Sequence, residues 1–208
     1  MYSIFDKLNH DIILYIIEFL NDQDKIRFVS IEQKMNLLKY HIKFYDKYEY
    51  DKIKHLSFVK NFEQIHYLSH DINIPNCITH LTFYYHFNEE IKDRIPNSVT
   101  HLTFGRKFNK EIKNCERLEA TPLSQPATRG QGIPDSVTHL TFNRNFNKEI
   151  KDCIPNSVTH LTFEYRFNQE IKDCIPNSVT HLTFHKKFQK FNKNHVPSTV
   201  KYLKFINN

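Results

Sequence analysis

The chain has 208 residues, 39% of them hydrophobic, and a formal net charge of +6, enough for one or two domains with a sizeable core. No apolar run reaches the roughly eighteen residues that a bilayer-spanning helix needs, so a membrane-spanning role is excluded. The apolar 12–20 stretch follows Asp11, contains Glu18 and has no small-residue cleavage site after it, which argues against a signal peptide. Four cysteines lack C-x-x-C or other zinc spacing and point to a reducing, intracellular setting, cytoplasmic or nuclear.

Residues 1–50 do not repeat and read as helical. Asn9 can cap a helix with Asp11 in its first turn, and Asn21-Asp22 can end it. Eight of the eleven residues at 10–20 are apolar or tyrosine: Ile12, Ile13, Leu14, Tyr15, Ile16, Ile17, Phe19 and Leu20. A helix in so small a module should carry one apolar stripe; this one is apolar nearly all round, so a second face asks for cover by a partner protein. A further helix is expected from Ile31, Met35, Leu38, Ile42 and Tyr45, spaced by four, three, four and three.

From about residue 51 the chain repeats. The stretch IPNSVTHLTF stands whole at 95–104, 154–163 and 175–184. The Ile-Pro or Val-Pro starts fall at Ile74, Ile95, Ile133, Ile154, Ile175 and Val196, giving steps of 21, 38, 21, 21 and 21; the long step is one repeat plus 17 residues. A fixed period in the twenties marks a solenoid, whose units bury their apolar faces only against one another. Val137, Leu140 and Phe142 follow L-x-x-L-x-L, close to the leucine-rich pattern of one short strand per turn. Alternation at Leu140-Thr141-Phe142 puts leucine and phenylalanine inside, and Pro134, Pro155 and Pro176 mark the corner before each strand. The strand is traced seven times, at 53–58, 78–83, 99–104, 137–142, 158–163, 179–184 and 200–205. The fold class is therefore α+β: a small helical module, 1–50, then a solenoid of about seven rungs, 51–208, with one parallel strand per rung.

Stacked rungs align like residues in columns. Phe87, Phe108, Phe146, Phe167 and Phe188 should form an internal aromatic column, with Asn88, Asn109, Asn147 and Asn168 beside it satisfying backbone groups at a bend. His55, His80, His101, His139, His160 and His181 should form an outward column ending in Tyr202. Neutral imidazoles can stack along such a ladder, and protonating several of them costs energy. A straight column does not converge on a tetrahedral centre, so no metal is assigned. Cys153 and Cys174 read as small apolar fillers. Residues 116–132, ERLEATPLSQPATRGQG, contain both alanines of the chain and no aromatic residue, and are expected to form an inserted flexible loop. The last rung has Lys201 and Lys204 in its strand, a charge pattern suited to a terminal cap.

Two resemblances follow from these motifs. Leu8-Asn9-His10-Asp11-Ile12-Ile13, Ile16-Ile17-Glu18-Phe19-Leu20, Asp24-Lys25-Ile26 and Val29-Ser30 resemble an F-box over about residues 4–45, with Asn9 where proline is usual and Asp11 where glutamate is. The repeats, with Phe167-Asn168 and Ile175-Pro176, resemble FNIP repeats over about 53–205. F-box plus FNIP chains are an architecture of amoebae and their large DNA viruses, which would make the setting the host cell if this chain is viral. The resemblance implies a substrate-recognition adaptor of an SCF-type ubiquitin ligase: the F-box docks on a Skp adaptor of a cullin complex and the repeats hold a substrate protein. It also implies that Leu8, Ile12, Ile13, Ile16, Ile17, Phe19, Leu20, Ile26 and Val29 include the Skp contacts. The alternative is a ubiquitin-independent repeat protein serving as an interaction module, its N-terminal helices only a cap.

The candidate substrate surface comes from the residues that vary between rungs directly after the strand: Tyr84-Tyr85-His86, Gly105-Arg106-Lys107, Asn143-Arg144-Asn145, Glu164-Tyr165-Arg166 and His185-Lys186-Lys187. Six of the fifteen are Arg or Lys and only Glu164 is acidic, a strip suited to an acidic or phosphorylated peptide. Tyr84, Tyr85, Arg106, Lys107, Arg144, Arg166, Lys186 and Lys187, with the outward His101, His139 and His160, are the candidate substrate contacts. Positive charge alone permits nucleic acid, although no reader motif accompanies it. No paired carboxylates, phosphate loop or nucleophile arrangement indicates an enzyme, and no cofactor is implied.

Overall fold

The computed structural model describes residues 9–31, 35–112 and 132–207. Leu8 and residues 116–131 of the insertion lie outside the described residues. The chain divides into two compact units, Met1–Ile65 and His66–Asn208.

In the first unit, helix α1 (His10–Glu18) starts where Asn9 accepts a hydrogen bond from the Asp11 amide. It ends earlier than expected. Asn21-Asp22 does not close α1 but opens α2 (Asp22–Ile31): the Asn21 side chain accepts from the Asp24 amide at 2.9 Å and donates to the Asp24 carboxylate at 2.8 Å, a reciprocal cap. Asp22 and Lys25 are buried as an ion pair, 3.4 Å apart. Each is compensated further, the carboxylate by the Asp46 amide at 2.7 Å and the ammonium by the Lys43 carbonyl at 3.1 Å.

The expected helix through Ile31, Met35, Leu38, Ile42 and Tyr45 does not form. The chain makes a 3-10 turn (Met35–Tyr40) and then strand β1 (Phe44–Glu49), in which Phe44 is fully buried and Tyr45 is 60% exposed. The Asp22 carboxylate on the Asp46 amide, and the stacking of Phe44 on Phe62 at 4.5 Å, hold that stretch extended rather than helical.

The first strand of the repeat pattern is likewise misplaced in sequence. Residues 53–58 are not extended: α3 (Tyr50–Ile53) is followed by turns in which Leu56 bonds back to Ile53, and Val59 to Leu56. Those local bonds use up the backbone groups that a ladder would need. The strand is β2 (Phe62–Ser69), and His66, not His55, pairs with His80.

In the second unit the remaining strands are β3 (His80–Phe83), β4 (His101–Thr103), β5 (His139–Phe142), β6 (His160–Phe163), β7 (His181–His185) and β8 (Tyr202–Ile206). From β2 to β8 every neighbouring pair is parallel and in chain order, one strand per turn of a leucine-rich-repeat-like solenoid. From β3 to β7 the register sets histidine on histidine, leucine on leucine and threonine on threonine.

The interior is built from columns. Val99, Leu102, Phe104 and Phe108, with their counterparts Val137, Leu140, Phe142 and Phe146, are at most 1% exposed. Phe87, Phe108, Phe146 and Phe167 stack at 6.1, 6.1 and 6.2 Å between centroids. Asn88, Asn109 and Asn147 each pass a side-chain oxygen to the backbone amide of the asparagine one rung on, at 2.8 to 2.9 Å, and Asn168 passes its own to the Gln189 amide. At the corner, proline serves only as acceptor: the Val99, Val137, Val158 and Val179 amides bond to the Pro96, Pro134, Pro155 and Pro176 carbonyls. Ser136, Ser157 and Ser178 donate their hydroxyls to a valine carbonyl of the preceding rung at 2.7 to 2.8 Å, which accounts for the serine before valine at those three corners. The Cys153 and Cys174 thiols donate to nearby carbonyls, and burial pushes the Cys174 thiol up, away from the thiolate a nucleophile requires. In β8, Lys204 takes the threonine position, yet Leu203 and Phe205 are 38% and 36% exposed, so this rung does not close over its own apolar columns.

Candidate functional site

Three surfaces stand out, one on the first unit and two on the second. Helix α1 turns Ile13 and Ile17 inward, one turn apart, and leaves Ile12, Ile16 and Phe19 exposed at 49%, 45% and 74%. The residues implied as Skp contacts thus separate. Ile12, Ile16 and Phe19 form an outward ridge; Ile13, Ile17 and Val29 are core; Leu20 and Ile26 are half-buried. Tyr15, 63% exposed, belongs to the ridge and packs edge-on against Phe19 at 5.1 Å. It was absent from the expected contacts although the spacing 12, 15, 16, 19 is that of one helix face.

The second surface is the turn after each strand. Backbone bonds tie successive turns together: the Lys107 amide to the Tyr85 carbonyl, Asn145 to Arg106, and Arg166 to Arg144. Gly105 is required there, because a Cβ on it would lie 1.9 Å from the Tyr84 carbonyl oxygen. Arg106, Lys107, Arg144, Arg166, Lys186 and Lys187 are all exposed, and the structure brings them together along one edge. Tyrosines hold four of them. Arg144 lies 5.0 Å and Lys187 4.6 Å from the Tyr165 ring centroid, and Arg106 and Lys107 lie 5.5 and 5.8 Å from that of Tyr85. Lys187 also donates to the Tyr165 hydroxyl at 2.9 Å; this bond, followed by the lysine's charge, lowers the phenol's pKa. Burial raises the Glu164 carboxyl, with Arg106, His185 and Arg144 pulling the other way. Tyr84 is taken up by His70, whose ring lies at 4.2 Å.

The third surface is the histidine ladder on the strand face. His66, His80, His101, His139, His160 and His181 stack at 4.0 to 4.1 Å between centroids and end on Tyr202 at 4.3 Å. From His80 to His181 each Nδ1 lies 2.9 Å from the hydroxyl of the threonine just before it, which fixes the ring plane. Burial, then the neighbouring imidazoles, push His139 down to about 4; burial likewise lowers His101 and His160. These three candidate contacts are therefore neutral and half-buried, unlike the charged turn strip. Among the described residues, no group of three or more His, Cys, Asp or Glu is arranged to hold a metal, and no helix is long and apolar enough to cross a membrane.

The family profile that matches lies in the second unit. The profile of the FNIP repeat family matches residues 70–107, 87–115, 127–166 and 167–208. A protein of Acanthamoeba polyphaga mimivirus named "Putative F-box and FNIP repeat-containing protein" is 40% identical over 67 residues, 32% of this chain and 22% of the relative. Another, named "Putative F-box protein", is 45% identical over 64 residues, 30% of this chain and 47% of the relative. The matched stretches thus span well under two thirds of these relatives. Among solved structures, that of CroV588, described as a novel circular LRR protein, has a TM-score of 0.55 at 34% identity, covering 72% of this chain and 21% of the other. With more than half of its length matched by the repeat profile, the chain belongs to the FNIP repeat family, on a leucine-rich-repeat-like solenoid.

Proposed function

We propose that this chain is the substrate-recognition adaptor of an SCF-type E3 ubiquitin ligase, with its N-terminal helices docking on a Skp protein of a cullin complex and its repeats holding the substrate. The observation that carries this reading is the ridge of Ile12, Tyr15, Ile16 and Phe19, four large apolar side chains turned to solvent on a helix whose sequence resembles an F-box. An apolar face of that kind is costly in water unless a partner covers it. The F-box names of the mimivirus relatives support the same assignment. Such an adaptor makes and breaks no bonds. It raises the effective concentration of a substrate lysine near a charged ubiquitin-conjugating enzyme, and that gain depends on the geometry between its two binding surfaces.

The test is co-purification of the full chain with an amoebal Skp protein, comparing wild type with the Ile16→Asp, Phe19→Asp double variant. A stoichiometric complex lost in the variant supports the adaptor. A folded wild-type chain that ignores Skp leaves the alternative, an interaction module outside the ubiquitin pathway.

A further inference from the structure

We propose that the turn strip of the solenoid binds a linear acidic peptide, laid extended across the rungs and held by Arg106, Lys107, Arg144, Arg166, Lys186 and Lys187. This inference rests on the reading of the repeats as the substrate-holding half and names the class of substrate. Four observations carry it.

First, the cations are unspent. Among the described residues none of the six forms an ion pair, and the only acid in the strip, Glu164, is half-buried. A solvated edge that only keeps a chain soluble mixes both signs. The strip does not: its cations stand apart from Glu90, Glu111, Glu149 and Glu170, which recur at a different bend mixed with Lys92, Lys110, Lys148, Lys151 and Lys172.

Second, four of the six cations are positioned in advance. Tyr165 holds Arg144 and Lys187, and Tyr85 holds Arg106 and Lys107. A guanidinium already held against a ring loses less freedom when it grips a carboxylate or phosphate with two parallel bonds.

Third, the same contacts disfavour single-stranded nucleic acid. Base recognition without a sequence motif needs open aromatic faces for stacking. The Tyr85 and Tyr165 rings already carry cations, and Tyr84 carries the His70 ring.

Fourth, the dimensions fit a short segment. The four turns that carry these cations, at about 4.8 Å per rung, span roughly 14 Å, the reach of about four extended residues at about 3.3 Å each. Carboxylates or phosphates on such a segment would meet cations all along the strip.

The experiment is fluorescence anisotropy on the full chain with labelled peptides of about eight residues sharing one backbone: one glutamate-rich, one carrying phosphoserines, one with glutamine in place of glutamate. An oligouridylate of similar length is the fourth probe. Expected is binding of the glutamate or phosphoserine peptide but not the glutamine one, weakening as salt rises. The Arg106→Gln, Arg144→Gln double variant should lose at least about tenfold in affinity with an unchanged melting temperature. Tyr165→Leu, which removes only the support, should cost less. A preference for the phosphoserine peptide would mean that the substrate is selected after modification; a preference for glutamate would mean it is selected constitutively. The proposal is overturned if the glutamine peptide binds equally well, if the double variant retains wild-type affinity, or if oligouridylate displaces the acidic peptides. Skp co-purification of the same variants keeps the two readings apart. Peptide binding lost with Skp retained maps to the strip, whereas a wild-type chain that binds acidic peptides but not Skp sinks only the adaptor.

Discussion

Helix α1 and a solenoid rung treat the same residue types in opposite ways. In α1 half of the large apolar side chains face water, with Phe19 74% exposed, while in a rung such as β5 every apolar position is closed off, with Phe142 fully buried. A rung is covered on both sides by copies of itself, so its phenylalanines and leucines are spent on stability and its outward positions are left polar. Among the described residues, helix α1 has no such neighbour along Ile12, Tyr15, Ile16 and Phe19. The lesson is that apolar residues report the fold in the solenoid, whereas in the helix they mark the face proposed for a partner, and the charged turns are the surface proposed for the solenoid's own recognition.

The contrast can be broken most forcefully inside a rung. Phe142→Ala removes a ring that stacks on Phe104 at 5.2 Å, Phe163 at 5.3 Å and Phe146 at 4.1 Å; the expected loss is about 3–5 kcal/mol, read by urea unfolding. A rung that tolerated it would not be the packed column described here. Next in size is Gly105→Ala. Its Cβ would meet backbone rather than a flexible side chain, so the turn itself must shift, and a loss of about 2 kcal/mol is expected in the same assay.

A smaller effect should come from the histidine ladder, and its sign follows from linkage. His139 sits at about 4 in the folded chain against 6.5 unfolded, so between those values the unfolded state binds more protons. Stability contributed by the neutral ladder is therefore fully present above pH 6.5 and declines as pH falls from 6.5 toward 4. Melting temperatures across that window should drop, and His139→Tyr should flatten the slope, since Tyr202 already stacks on His181 in this column at 4.3 Å. An unchanged slope would mean that burial and the neighbouring imidazoles do not hold His139 neutral.

Much of the solenoid could be read from residue spacing because each rung poses the same problem and answers it with the same letters. Six starts in near-perfect register placed the strands from β3 to β8, the phenylalanine column, the asparagine ladder and the histidine stack. The first strand could not be placed that way. Its neighbours are not repeats, and residues 53–58 imitate the strand pattern while their backbone bonds close locally. His55 is 25 residues before His80, off the 21-residue step, whereas His66 enters the column from a strand with no Ile-Pro start. The stripe from Ile31 to Tyr45 failed for a related reason: a buried carboxylate, Asp22, captures the Asp46 amide from 24 residues away, and a helical period says nothing about such a contact. On α1 the composition showed that a face was uncovered, but which face only emerged once Ile13, Ile17 and Val29 were seen packed inside.

The most direct test of the account remains the Skp complex of the full chain, with Ile16→Asp, Phe19→Asp beside wild type and a thermal melt on both. Each of the two exposed substitutions should change stability by no more than about 0.5 kcal/mol. The account predicts that wild type co-elutes with Skp in equal amounts and that the double variant melts normally but elutes alone. A variant that still binds Skp, or one that fails to fold, would contradict it, since the ridge would then be either the wrong surface or part of the core.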